Sequence, residues 1–506
     1  MKKKNLFILP FLMIGAFVIA ACGGNNNNGG GNTQEEEGGD DTFEVPEQLK
    51  GKNVTIRFDS QWGGNMQTMF NAWADEFHSL VPSVTVEVNK ISGDYSSVAK
   101  QETTDIQVDN DEWGDIVSCY PDHCVDYIGF GKCVDLNKFI NNTDETIALG
   151  PNTRKDLTGA AKEYFDIEYP MSGMYCAPFS VSTEFMLYNK EILEWTIPGV
   201  NGGKRIDEDY LDNMTWEEFY GNFCPKFLAY NEEKPDNEKL LRTDAGNYAV
   251  LGYDDDANAF ITLLEQYGYP YTSIDEDRNP SIDFNTPQAQ ALAKKWNEYR
   301  NYNYVITEGS NNNAKPTSLL GEKRVLFAVG STGGITYQQS SIDQSGFNIS
   351  VGCTIVPQAA NRDSKIVLQG GSLCILSHNS ADDEDRQLAA WMFYKYITNK
   401  QNSIRWAMQT GYAPIRKSVY KTSDWAEIIN TEGKNGIELL TALSSRYVQF
   451  NSDAMFLTAV FKGSKVCREQ VDGLFAKIVN ADLNTCSEEF VNTEFSKAYN
   501  NVLTNM

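Results

Sequence analysis

The sequence predicts an α/β protein of two doubly wound lobes, joined by a hinge with a cleft between them. Three observations carry that expectation. Residues 53–119 alternate short apolar strands with helical stretches. The body that follows the leader and tether, about 460 of 506 residues, is too long for one typical core. Residues 175–190 form an extended stretch, polar in the middle and apolar at the end, suited to a chain passing between lobes beside a wet groove.

Residues 1–22 read as a leader. Lys2, Lys3 and Lys4 form its charged start, and residues 6–19 are an apolar run shorter than the roughly 20 residues that span a bilayer. Ile19-Ala20-Ala21-Cys22 then resembles a bacterial lipobox, with cleavage before Cys22 and lipid expected on its sulfur. Residues 23–41 hold no apolar side chain and many glycines, which predicts a disordered tether, taken to run to residue 48. As a coil of that kind its ends would sit about 25 Å apart. No later segment is apolar enough to cross a membrane, so the expectation is a folded body held by lipid at the extracellular face of the cell membrane.

Hydrophobic residues at 41% and aromatics at 12% suffice for a full core. The formal charge is −26, or −29 without the three leader lysines, which argues against nucleic acid or anionic membrane surfaces as partners. Nine cysteines remain beside Cys22, an odd number that leaves an exported chain with at least one free thiol or an intermolecular bond. Cys119, Cys124 and Cys133 are close enough in sequence to include one disulfide. Their spacing is not that of zinc ligands and His123 is the only imidazole nearby, so neither a metal site nor a cofactor is expected.

In chain order, residues 53–58 alternate as a strand should. Met66, Met69, Phe70, Trp73, Phe77 and Leu80 recur at helical spacing over 64–80, and Pro82 stops the helix. A strand at 84–88, a helix at 95–104 and a strand at 115–119 complete a β-α-β-α-β unit, hence a parallel sheet with ligands at the strands' carboxyl ends. Those ends carry Gln61-Trp62, Gly93-Asp94-Tyr95 and Tyr120-Pro121-Asp122. Trp62, Tyr95 and Tyr120 offer apolar faces with polar edges, and an ionised Asp122 accepts two hydroxyl donors.

Asp254, Asp256, Asn258 and Glu265 match four positions of a calcium loop, but Ala259 stands where that loop needs glycine. Phe260, Leu263, Leu264 and Tyr267 repeat as a helix instead, with acids at its start, and Tyr253 just ahead is a second-lobe candidate. Pro287 opens another helix over 286–299. A strand at 323–329 runs into the glycine-rich 330–334, and neither the P-loop pattern nor G-x-G-x-x-G occurs. Helices are expected at 439–443, 455–461 and 471–478.

Enzyme signatures are thin. H-E-x-x-H and G-x-S-x-G are missing, and Ser97–Lys100 and Ser418–Lys421 lack the partners of an S-x-x-K enzyme. Three histidines, His78, His123 and His378, show no triad order. A surface-anchored glycoside hydrolase stays open, because 69 acidic residues hide any carboxylate pair.

Several motifs together resemble one family. Tyr175, Pro178, Tyr188, Asn189 and Lys190 fit an interlobe crossover. Thr215-Trp216-Glu217-Glu218-Phe219 is a T-W-x-E-F helix start, and Gln266-Tyr267-Gly268 a Q-x-G helix end. Gly370-Gly371 fits a return crossover. Residues 388–398 followed by Thr410-Gly411-Tyr412-Ala413-Pro414-Ile415-Arg416 form the most specific signature, departing at Asn402-Ser403 where many members have Asn-Gln. These motifs resemble the type-1 extracellular solute-binding proteins of carbohydrate importers, which include maltodextrin- and glycerol-3-phosphate-binding proteins. The resemblance implies a periplasmic-binding-protein-like type II fold, lobe 1 at 49–178 and 372–418, lobe 2 at 179–371 and 419–506. It implies a monomer, not an enzyme, that closes on a sugar or oligosaccharide and delivers it to the permease of an ATP-driven importer. It adds Ser182, Ser331, Gly333, Gly370, Gly371 and Tyr412 to the candidate contacts. A glycerol-3-phosphate or phosphodiester ligand is the alternative within the family. The candidate loops carry no cation for it, so a neutral oligosaccharide is preferred.

Overall fold

The computed structural model describes residues 43–506. The expected leader, Cys22 and most of the expected tether lie outside these residues. The tether's last residues do not: Phe43 packs edge-on against Phe77 and Tyr396, and Glu47–Leu49 form a 3₁₀ turn with Leu49 fully buried. The folded body thus begins before residue 48, because an aromatic and a leucine give this segment surface to bury.

The strands are β1 (Val54–Ser60), β2 (Val84–Lys90), β3 (Ile116–Cys119), β4 (Ala177–Pro178), β5 (Ser182–Asn189), β6 (Ala249–Tyr253) and β7 (Thr272–Ile274). They continue with β8 (Pro280–Ile282), β9 (Val305–Thr307), β10 (Val325–Ser331), β11 (Val351–Thr354), β12 (Ile366–Gln369), β13 (Ser372–Ile375) and β14 (Met455–Phe456). A five-stranded sheet has the order β2-β1-β3-β13-β4, and a second sheet the order β14-β12-β5-β10-β6-β9, with β11 also on β5. β7 and β8 form a separate hairpin.

The first sheet follows from its sequence. Val54, Ile56 and Phe58 alternate inward along β1, which pairs parallel with β2 and β3. The helix Asn65–Leu80 buries Phe70, Trp73, Ala74 and Phe77, one stripe at helical spacing. It ends one residue short of Pro82, as expected. β13 and β4 return antiparallel to β3, which makes the sheet mixed.

In the second sheet, β5 is buried along its whole length and pairs antiparallel with β10, β11 and β12, while β10, β6 and β9 run parallel. The helix Asp256–Tyr267 fills the span of the rejected calcium loop. Asp255 caps it, accepting from the Asn258 amide at 2.7 Å, and Gly268 ends it at φ 64. Asp254 accepts from the amide and hydroxyl of Thr317, at 2.8 and 2.7 Å, and Asp256 from the Gly309 amide at 2.8 Å. The expected helix at 455–461 is absent. Met455 and Phe456 instead form β14, parallel to β12 beside Ile366 and Val367. A run of seven residues with a single polar side chain, Thr458, has no helical polar face to show to water, and its apolar pair goes to the sheet.

The chain passes between the sheets at residues 179–181 and again at 370–371. These crossings lie side by side, with the Ser180 amide donating to the Gly371 carbonyl at 2.9 Å. Residues 411–413 run alongside, the Ala413 amide donating to the Val181 carbonyl at 2.9 Å. Gly370 is required here: its φ is 112 and a β-carbon would lie 1.9 Å from the Ser180 carbonyl oxygen.

Candidate functional site

The loops after β2 and β3 meet the two crossing segments and residues 411–413 beside them, and a set of tyrosines gathers there. Asp94 caps the helix Tyr95–Val108 by accepting from the Ser97 amide at 2.9 Å, which sets Tyr95 at the helix start. The Tyr95 ring lies 4.4 Å from that of Tyr120, which sits just past β3 and is 38% exposed. Tyr412 stacks on Trp406 with 6.2 Å between centroids and 7° between planes. Gly333 lies under Tyr412, where a β-carbon would come within 3.0 Å of the ring. The Tyr164 hydroxyl donates to the Gly370 carbonyl at 2.8 Å.

Charges from β5, from the start of the helix Asp256–Tyr267 and from the helix Ser464–Val479 converge on the same place. Burial pushes the Tyr120 hydroxyl up; Tyr412, Asp122 and Asp255 add to this and Arg468 opposes it. Arg468 stands on the helix Ser464–Val479, pairs with Asp255 at 3.6 Å and donates to Asn258. Burial works against its charge, but Asp255, Tyr271, Asp122 and Glu184 outweigh that and hold its pKa above the usual value. Glu184, inside β5, accepts from the Tyr253 hydroxyl. Burial first and Asp255 second push its carboxyl up to about 8.

Tyr95, Tyr120, Asp122, Ser331, Gly333, Gly371 and Tyr412 therefore come together from separate stretches. Ser331 is half-buried and its hydroxyl accepts from the Gly333 amide at 3.2 Å. Gly371 lets Tyr95 approach, since a β-carbon there would lie 2.2 Å from the Tyr95 oxygen. Four other candidates have different places. Trp62 is 5% exposed, packed among Phe58, Phe70, Tyr95, Phe179 and Trp406, so it supports Tyr95 from beneath. Tyr253 is 1% exposed with its hydroxyl engaged by Glu184. Ser182 is buried where β5 pairs with Gln369, and Gly370 serves the crossing itself. Sequence reasoning missed Arg468, Asp255 and Glu184. A glutamate inside the apolar run of β5 was the one available signal; an arginine in a surface-type helix carries none.

A separate cavity of about 440 Å³ lies beside the early parts of β1 and β2 and the start of β3, among Thr55, Arg57, Glu87, Asp115 and Arg386. Its two arginines are already paired, Arg57 with Asp59 and Arg386 with Asp115, both at 2.7 Å. No tyrosine of the cluster lines it.

No curated protein matches the chain by sequence. Solved structures do resemble it. A cyclic α-maltosyl-1,6-maltose binding protein from Arthrobacter globiformis is 16% identical with a TM-score of 0.63, over 90% of this chain and 100% of that one. A Mycobacterium tuberculosis protein in complex with glycerophosphocholine is 17% identical with a TM-score of 0.61, over 89% and 98%. A Listeria monocytogenes substrate-binding protein in complex with cycloalternan is 15% identical with a TM-score of 0.59, over 90% and 99%. At such identities the likeness is one of fold, that of a two-lobed type II binding protein. A family model described as bacterial extracellular solute-binding protein matches residues 72–431, and on that match the chain belongs to this family.

Proposed function

We propose that the protein captures a neutral sugar or oligosaccharide between its lobes and delivers it, unchanged, to the permease of an ATP-driven importer. The observation that carries this reading is the convergence of Tyr95, Tyr120 and Tyr412 with Asp122 of the first lobe and Asp255 and Arg468 of the second. Aromatic faces suit the C–H faces of sugar rings, and carboxylates and a guanidinium suit their hydroxyl rims. Micromolar capture needs only about −8 kcal/mol, within reach of such a set. The family consists of binding proteins, and two of the similar structures cited above are named for oligosaccharides that they bind. The lobe boundaries in this reading are 178/179, 371/372 and 418/419, and Cys22 carries the lipid that holds a monomeric body outside the cell.

One observation favours a phosphodiester ligand. Arg468 brings a cation that the candidate loops lack, and one similar structure holds glycerophosphocholine. Arg468 is nevertheless occupied by Asp255 and Asn258 and faces Asp122, and the two aspartates against one guanidinium leave the local charge negative, which disfavours a phosphate. A thermal-shift screen against neutral oligosaccharides, glycerol 3-phosphate and glycerophosphocholine decides between the two. A rise in melting temperature with at least one oligosaccharide is expected; a rise with the phosphates alone overturns the preference.

A further inference from the structure

Five cysteines from distant parts of the chain meet beneath Tyr120. Cys119 ends β3, Cys124 opens the short helix Cys124–Gly129, Cys374 lies on β13, Cys176 precedes β4 and Cys133 follows that helix. The sulfurs of Cys119, Cys124 and Cys374 all lie within 4.8 Å of one another, and Cys119 and Cys124 are 3.6 Å apart. The sulfurs of Cys124 and Cys176 are 3.0 Å apart, longer than a disulfide bond of about 2.05 Å. All nine described cysteines are free thiols, so the disulfide that the sequence allows among Cys119, Cys124 and Cys133 is not formed.

We propose that Cys119, Cys124 and Cys374, closed by Cys133, form a binding site for a thiophilic metal ion of the zinc(II) type. Tetrahedral zinc with zinc–sulfur bonds of about 2.3 Å holds its sulfurs roughly 3.8 Å apart, close to the separation seen between Cys119 and Cys124. The surroundings fit a charged centre better than an apolar core. The Tyr127 hydroxyl, 0% exposed, has no hydrogen-bond partner and belongs to the same buried cluster as the cysteines. Thiolate sulfurs accept such donors, the usual supporting contact of a thiolate site. The Ser372 hydroxyl also stands 3.5 Å from the Cys119 sulfur.

A bound dication makes each recruited thiol release one proton to solvent. Cys133 is half-buried, the most accessible of the four. Its thiol lies against those of Cys124 and Cys374. Spacing along the sequence could not show the site, because Cys374 lies some 240 residues beyond its partners.

The test uses the protein purified with reductant, then stripped of metal and dialysed against zinc. About one zinc per chain by mass spectrometry, a higher melting temperature than the stripped form, and at least tenfold slower alkylation of Cys133 are expected. C119S/C374S should lose the zinc, while C353S/C467S keeps it. If C119S/C374S does not fold, the alkylation of the natural chain still decides. Zinc no higher than in a control protein, or a Cys124–Cys176 disulfide found by unreduced peptide mapping of protein from the cell envelope, overturns the proposal.

Discussion

Tyr120 and Tyr412 present ring surface at the candidate site, whereas Tyr253 keeps its ring and hydroxyl in the core against the second sheet. Tyr120→Ala and Tyr412→Ala should each weaken sugar binding about tenfold, roughly 1.4 kcal/mol, with the fold retained. Tyr253→Phe should leave affinity within twofold and lower stability by about 1 kcal/mol through the lost hydrogen bond to Glu184. Calorimetric titration beside denaturant unfolding separates these effects. Glu184 adds a pH dependence. Its folded-state pKa of about 8 lies above the ordinary glutamate value near 4.3, so from about pH 4 to 8 the folded state holds a proton that the unfolded chain has released. Its contribution is full below that window and fades as pH rises through it. Asp254 and Asp256, raised by burial to about 7, act in the same direction. The melting temperature of the ligand-free protein should fall between pH 5 and 8.5, and Glu184→Gln should flatten that fall. An equal slope in the variant would place the effect elsewhere.

The crossing segments are the elements on which the site depends. Gly370→Ala puts a methyl group 1.9 Å from the Ser180 carbonyl at φ 112, so it should destabilise by more than about 2 kcal/mol. Gly371→Ala meets the movable Tyr95 hydroxyl instead, so it should cost less stability and more affinity. Thermal melts and ligand titrations of the two variants check this contrast. Trp62→Ala should cost about 3–5 kcal/mol, as a core tryptophan does. The strand-helix alternation of 53–119 was legible because its first two strands and its helices each have one buried and one wetter face, and β3 is a short apolar run buried throughout. The stretch at 455–461 was misread because it is apolar nearly throughout and carries no period. Trp62 and Tyr253 were legible as aromatics at strand ends, but only packing decides whether such a ring faces a groove or the core. Arg468 and Asp255 were not legible, since their role comes from the approach of a helix some 340 residues away from Tyr120.

At the scale of the whole molecule, the two sheets share two adjacent passages of chain with residues 411–413 alongside, and the tyrosines and charges lie beside them. Bending at those passages is the expected route by which the lobes open and close. Small-angle X-ray scattering should therefore show a smaller radius of gyration with saturating sugar than without. The most direct test of the account is a calorimetric titration of the protein with a panel of neutral oligosaccharides, followed by recovery of the sugar and mass spectrometry. The account predicts one-to-one binding in the micromolar range by at least one oligosaccharide, recovered intact. Saturable binding of glycerophosphocholine with no heat from any sugar, or recovery of shortened sugars, would contradict it.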